Sequence, residues 1–236
     1  MNVAVILAGG HGSRTEQDIP KQFMNVYEKP LIIYTLENFQ NNPEIDAIEV
    51  VCLDGWHEVL RAYAKQYHIT KLQWIINGGF DGQESIQKGV DGLVNVCDDN
   101  DIILIHDAIR PFVPQDIITD AIVKCRKYGS GLSAVRCQET IVHTLDGLEG
   151  VENIDRKEIM RVQTPQAYLY GKAKWAYEEA ARRDIHGEVY INTLMLHLGE
   201  HVFFSKGTGK NIKITTMDDL ELFKSLLHMK REDWVH

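Results

Sequence analysis

Short apolar runs alternate with amphipathic stretches along most of this chain. Val3–Leu7, Ala47–Leu53, Trp74–Ile76, Ile102–Ile105 and Gly131–Val135 are bounded by polar or glycine-rich segments and read as buried strands. Between and after them, Leu31–Phe39, Glu58–Tyr67, Ser85–Val96, Asp116–Tyr128, Lys172–Arg183 and Asp218–Met229 carry helical spacing. The first of these helices runs into Asn41-Asn42-Pro43, a stop signal. A strand–helix rhythm of this kind predicts an α/β fold: a Rossmann-like, doubly wound, mostly parallel sheet. In such sheets ligands bind beyond the carboxyl ends of the strands.

The rhythm breaks between residues 138 and 156. Thr140–Thr144 alternates, Leu145–Gly150 reads as a turn, and Val151–Ile154 resumes the alternation. This predicts a hairpin-like β-arm within a single domain spanning residues 1–236. The arm is a candidate surface flap or dimerisation element.

Composition narrows the partners. A hydrophobic content of 44% and a charged content of 25% suit a globular protein. A formal charge of −9 argues against nucleic-acid binding, which needs a broad basic surface. Cys52, Cys97, Cys125 and Cys137 are widely spaced and form no C-x-x-C pair. They are expected to be reduced, packed thiols of a cytoplasmic protein. The first apolar run is too short for a membrane span and lacks the basic flank of a signal peptide.

The most informative phrase joins the first strand to a glycine-rich turn, Leu7-Ala8-Gly9-Gly10-His11-Gly12-Ser13-Arg14, followed by Pro20-Lys21-Gln22-Phe23. Glycines let backbone N–H groups approach an anion, and two cations can neutralise a polyphosphate. The phrase is neither a Walker A loop nor a strict dinucleotide fingerprint, because the third glycine and the Walker lysine are missing. Gly207-Thr-Gly-Lys210 fails the Walker pattern too. Taken alone, the turn is equally compatible with a structural corner; Arg14 and Lys21 tip it towards a nucleoside triphosphate.

Three further clusters carry chemistry. His106-Asp107-Ala-Ile-Arg110 ends a buried strand, where Asp107 is placed for Mg²⁺ and Arg110 for a second anion; a helix cap with a surface ion pair is the competing reading. Gln163-Thr164-Pro165-Gln166 predicts a turn that presents a hydroxyl. Lys213 falls in a short β pattern, Ile212–Ile214, before a helix that Thr215 or Thr216 can cap. His197-Leu-Gly-Glu200-His201 matches an inverted zincin pattern, but Gly199 predicts a helix stop that splays the histidines.

In order along the chain, these phrases resemble the cytidylyltransferases that activate polyol phosphates, a family including the 2-C-methyl-D-erythritol 4-phosphate and ribitol-5-phosphate enzymes. The resemblance implies a nucleotidyltransferase-type fold, CTP and a polyol phosphate as substrates, Mg²⁺ as cofactor, and a homodimer through the arm. It implies that Arg14, Lys21 and Lys213 are catalytic, with Arg14 and Lys21 binding the triphosphate and stabilising the transition state. Leu7, Ala8, Gly9, Gly10, Gly12, Gly78, Gly79, Ser85 and Asp107 would bind CTP, with Asp107 as metal ligand. Arg110, Thr140, Arg156, Thr164 and Lys213 would hold the acceptor, with Thr140 and Arg156 expected to reach a partner subunit's site from the arm.

Three departures stand out. Thr15 replaces a usual methionine, Gly82 stands near a usual arginine, and uncharged Asn192 stands near a usual aspartate. They leave open a catalytically impaired, nucleotide-binding relative. Leu7-Ala-Gly-Gly10 and Ile109 lean towards D-ribitol 5-phosphate as acceptor, with 2-C-methyl-D-erythritol 4-phosphate as the alternative.

Overall fold

The computed structural model describes residues 1–10 and 19–232. Eleven strands run in chain order as β1 (Asn2–Ala8), β2 (Asn25–Val26), β3 (Lys29–Pro30), β4 (Ala47–Cys52), β5 (Leu72–Asn77), β6 (Ile102–Asp107), β7 (Ser130–Arg136), β8 (Ile141–His143), β9 (Glu152–Ile154), β10 (Met160–Leu169) and β11 (Phe204–Lys206). The α-helices are α1 (Leu31–Gln40), α2 (His57–Gln66), α3 (Gly82–Gly92), α4 (Gln115–Tyr128), α5 (Tyr170–Arg182), α6 (Ile191–His197) and α7 (Met217–Glu232).

Seven strands form one sheet in the order β11-β7-β10-β6-β1-β4-β5. β1 pairs in parallel with β4 and β6, β4 with β5, and β7 with β11. Only β10 runs against its neighbours, β6 and β7. Along β1 the side chains alternate between two cores. Ala4 and Ile6 pack with Ile32, Leu36, Leu60 and Ile118 from α1, α2 and α4. Val3 and Val5 pack with Ile86, Ala173, Tyr177 and Leu194 from α3, α5 and α6. This two-sided cover explains the near-continuous apolar runs of the parallel strands. α7 closes a smaller cluster, in which Phe223 meets Phe112 and Ile214. β8 and β9 pair only with each other, forming the expected hairpin within residues 138–156.

Several expectations need correction. The segment Gln163–Gln166 is not a turn: it lies inside β10, at a register shift between Val162 and Gln166. Pro165, after a cis peptide bond, sits where the irregular ladder needs no donor. Lys213 is on no strand; its segment is irregular and is anchored by the Ile214 N–H to the Ile109 carbonyl at 2.9 Å. α3 begins at Gly82 rather than Ser85, because the Asp81 side chain caps it by accepting the Glu84 N–H at 2.8 Å. The Thr216 cap is present, accepting from the Asp219 N–H at 3.2 Å. All four cysteines are unbridged and buried.

A carboxylate interrupts the apolar interior of β4. Glu49, in β4, is fully buried, and neither carboxylate oxygen has a hydrogen-bond partner. Its side chain lies beneath α3, where a Cβ on Gly92 would come within 2.7 Å of it. Burial pushes its carboxyl from 4.5 up to about 8. The folded chain therefore holds a proton that the unfolded chain releases between those values. Stability falls as pH rises through that window, by up to about 1.4 kcal/mol per unit. Glu49→Gln is expected to flatten this slope, so that its melting-temperature advantage widens from pH 5 to pH 8. Parallel pH profiles for the two proteins would exclude Glu49 as the source.

Candidate active site

The carboxyl ends of β1 and β6 and the loop after β5 line a cleft of about 420 Å³. One wall is built by close backbone approach. A Cβ on Gly9 would lie 3.3 Å from the Gly78 Cα, and one on Gly78 would lie 3.1 Å from the Gly9 Cα. Only paired glycines bring the β1 and β5 loops this near. The Gln22 amide fixes the turn by donating to the Ala8 carbonyl at 2.8 Å and the Gly10 carbonyl at 3.0 Å. Beside it, Lys21 is 8% exposed and its ammonium donates to the Thr215 carbonyl. A hollow of about 490 Å³ lies at the opposite end of the sheet, between α2 and the start of β5, away from these groups.

Asp107, the last residue of β6, is the hub of the opposite wall. Its Oδ2 accepts from the Arg110 Nε at 2.9 Å. Its Oδ1 accepts from the Tyr190 hydroxyl at 2.8 Å and lies 3.3 Å from the Lys213 Nζ. Lys213 in turn donates to the Tyr190 oxygen at 2.5 Å. Burial alone would raise the Asp107 carboxyl. The Lys213 and Arg110 charges and the Tyr190 hydrogen bond outweigh it, and the net shift is downward. Burial lowers neighbouring His106 to about 4, so its ring is neutral near pH 7. The Arg110 carbonyl, at 3.1 Å, must accept the His106 Nε2–H, which leaves Nδ1 as an acceptor for the Thr164 hydroxyl at 3.0 Å. Thr164 Oγ1 also accepts the Asp107 N–H at 3.1 Å. A short brace therefore runs from β10 through Thr164 and His106 to Asp107 and Arg110.

The cleft brings together Leu7, Ala8, Gly9, Gly10, Lys21, Gly79, Ser85, Asp107 and Lys213, all singled out from sequence. Gly78 stands directly behind Gly9, and Arg110 joins through its ion pair. Gly12, Arg14 and Thr15 lie outside the described residues. Thr164 is 1% exposed and its hydroxyl is spent on the brace, so it acts through Asp107 rather than facing the cleft. Thr140 and Arg156 are exposed at the base of the arm and are absent from the cleft wall; Arg156 donates to the Gln138 carbonyl at 2.7 Å. Asn192 also faces inward, accepting from the Gln166 amide at 3.0 Å, so it does not replace a cleft acid. The zincin-like pair is separated as expected: Gly199, at φ +85°, ends α6, and His197 pairs with Glu188 at 2.8 Å.

Tyr190 is the residue that sequence reasoning missed. It lies 83 positions from Asp107 and just before the unpredicted helix α6. No local pattern marks it. Tyr190→Phe keeps the ring and removes the bridge between Asp107 and Lys213. It is expected to lower turnover by about ten- to a hundredfold, one charge-assisted hydrogen bond being worth about 1.5–3 kcal/mol. Unchanged steady-state kinetics would show the bridge to be idle.

Comparison with known proteins gives this geometry a family. Residues 2–229 match the profile described as IspD: 2-C-methyl-D-erythritol 4-phosphate cytidylyltransferase. The chain belongs to the IspD cytidylyltransferase family. Within the family it is 44% identical to the ribitol-5-phosphate cytidylyltransferase of Lacticaseibacillus paracasei, over 98% of this chain and 99% of that one. It is 35% identical to the 2-C-methyl-D-erythritol 4-phosphate cytidylyltransferase of Clostridium novyi, over 96% of each. The crystal structure of the Francisella tularensis 2-C-methyl-D-erythritol 4-phosphate cytidylyltransferase superposes with a TM-score of 0.75 at 27% identity, covering 94% of this chain and 97% of that one. The IspD-type sheet thus carries the glycine wall and the Asp107 hub at the carboxyl ends of its strands. Among the described residues, no helix is long and apolar enough to cross a membrane.

Proposed function

We propose that this cytidylyltransferase transfers the cytidylyl group of CTP to D-ribitol 5-phosphate, releasing pyrophosphate. The observation that carries the reading is the cleft itself: a backbone-lined glycine wall faces Lys21, Lys213 and the Asp107–Arg110 pair. The 44% identity to the Lacticaseibacillus paracasei enzyme supports ribitol 5-phosphate as the acceptor.

The nucleophile is an oxygen of the acceptor's phosphate monoester. Its second pKa is about 6, so it is largely dianionic at neutral pH and needs no general base. The difficulty is bringing two anions together. Gly9, Gly10, Gly78, Gly79 and Ser85 form the cradle for CTP. Lys21 and Arg14 offset the charge of the triphosphate and of the transition state. Lys213 and Arg110 draw the acceptor phosphate to the other side of the α-phosphorus for in-line attack.

The donor set of Asp107 fits a Mg²⁺ carried in by the nucleotide. A carboxylate has about four lone-pair positions. Tyr190, Lys213 and Arg110 occupy three of them here, leaving one for a metal held mainly by phosphate oxygens. When bound, the ion supplies charge neutralisation of the triphosphate. The hairpin is the candidate dimerisation element that carries Thr140 and Arg156 towards a partner's acceptor site. Its exposed Leu145 and Leu148 and its lack of a third strand support that role. Unbridged, buried cysteines support a reducing compartment, the cytoplasm.

Pyrophosphate release is the test, with CTP, Mg²⁺ and a panel of polyol phosphates. D-Ribitol 5-phosphate is expected to give the highest kcat/KM. Preference for 2-C-methyl-D-erythritol 4-phosphate would move the chain to the other branch of its family. Tight CTP binding without turnover on any acceptor would mark it as an impaired relative.

A further inference from the structure

Phe80 is 99% exposed, the highest value among the large hydrophobic side chains of the described residues. It stands at the mouth of the cleft, between Gly79 and Asp81. An exposed phenylalanine on a loose loop would need no explanation, but this loop is pinned. The Gly79 N–H donates to the Ser85 hydroxyl at 2.9 Å, and the Phe80 N–H donates to Glu84 Oε2 at 2.6 Å. Lys88 donates to the Gly78 carbonyl at 3.1 Å and pairs with Glu84 at 3.0 Å. A Cβ on Gly79 would come within 2.5 Å of Glu84, so the backbone packs down on α3 and sends the next side chain outward.

The rest of the loop offers a ligand no second large side chain. Positions 78, 79 and 82 are glycine, and the Asp81 carboxylate is spent on the α3 cap. Gly82 also has little room to grow, since a Cβ there would lie 3.1 Å from the Val189 carbonyl. The same cleft has Gly9 and Gly10 in its wall, which contribute backbone alone. A flat ring fits against such backbone with an aromatic face covering it.

We infer that Phe80 is a stacking platform for the base of CTP, supplying affinity without base choice. The inference rests on the CTP reading above and assigns the one large side chain that this loop presents. Stacking is tolerant because every base has a π-face, whereas selection needs hydrogen bonds to the base edge. The Ser85 hydroxyl, which accepts from the Gly79 N–H and keeps its own proton to donate, is a group suited to selection; the Phe80 ring is not.

The test is calorimetric binding of CTP and UTP to the full chain and to Phe80→Ala and Phe80→Trp, with melting temperatures alongside. Phe80→Ala is expected to leave the melting temperature unchanged, because the ring is almost wholly exposed. It is expected to weaken both nucleotides about tenfold, within the range for loss of one base–aromatic stack. Phe80→Trp is expected to restore affinity and to lose fluorescence on CTP addition. CTP affinity in Phe80→Ala equal to that of the parent overturns the stacking role while leaving the CTP reading intact. A changed CTP-to-UTP ratio overturns the claim of affinity without choice. Absence of CTP binding by the parent overturns both readings together.

Discussion

Asp107→Asn is expected to lower turnover by at least about a thousandfold and to destabilise the fold by about 3 kcal/mol. The Asp107 side chain is 7% exposed and neutralises Arg110, whose side chain is 13% exposed. Removing one partner of a buried ion pair strands the other, which costs about 3–5 kcal/mol. Lys213 is one-third exposed, so water screens its share, and the lower end of that range is expected. The catalytic loss is larger because both acceptor-side cations are aimed by this one carboxylate. Denaturant unfolding and steady-state kinetics together check the claim. Unchanged stability would mean that the hub is not holding its cations, and turnover within tenfold of the parent would remove Asp107 from the chemistry. The pH dependence follows from the same geometry. Because the folded Asp107 carboxyl is depressed, its stabilising contribution is complete above the ordinary carboxylate range. It is lost as pH falls through the lower, folded-state value.

Lys21→Ala is expected to reduce kcat by about 10²–10³ while the KM for CTP changes only a few-fold. Removing one preorganised transition-state donor commonly has an effect of that size. Lys21 is buried against the glycine turn and directed by the Thr215 carbonyl, so its charge is placed before substrate arrives. Arginine is not expected to rescue it, since a planar fork does not reproduce a compact ammonium. Steady-state kinetics in which only KM changes would assign Lys21 to ground-state binding.

Much of this architecture was legible because parallel strands buried on both faces advertise themselves as β-branched runs, as in Ile102–Ile105 and Ala47–Leu53. The glycine wall was legible too, since Gly9 and Gly78 have no other way to meet. β10 was not. Its Gln163, Thr164 and Gln166 are buried, and each hydrogen-bonds to a partner remote in sequence: the Thr208 carbonyl, His106 and Asn192. A polar run with a proline reads locally as a turn, and only the tertiary hydrogen bonds make it a strand interior. Tyr190 was hidden for the same reason, because its meaning lies in Asp107 and Lys213 rather than in its neighbours. Lys213 was found by type and order, although its strand context was wrong.

The position of β10 has a consequence for how the chain is made. By residue 107 the ribosome has supplied β5, β4, β1 and β6, which are mutual neighbours in the sheet. β7 follows directly but has no place beside β6, because the intervening slot belongs to a strand that begins at Met160. During that interval of synthesis the nascent sheet presents the buried strand β6 as an open edge, the state most prone to pairing with another chain. Once β10 arrives, running against both neighbours, it closes that edge and docks β7 in one step.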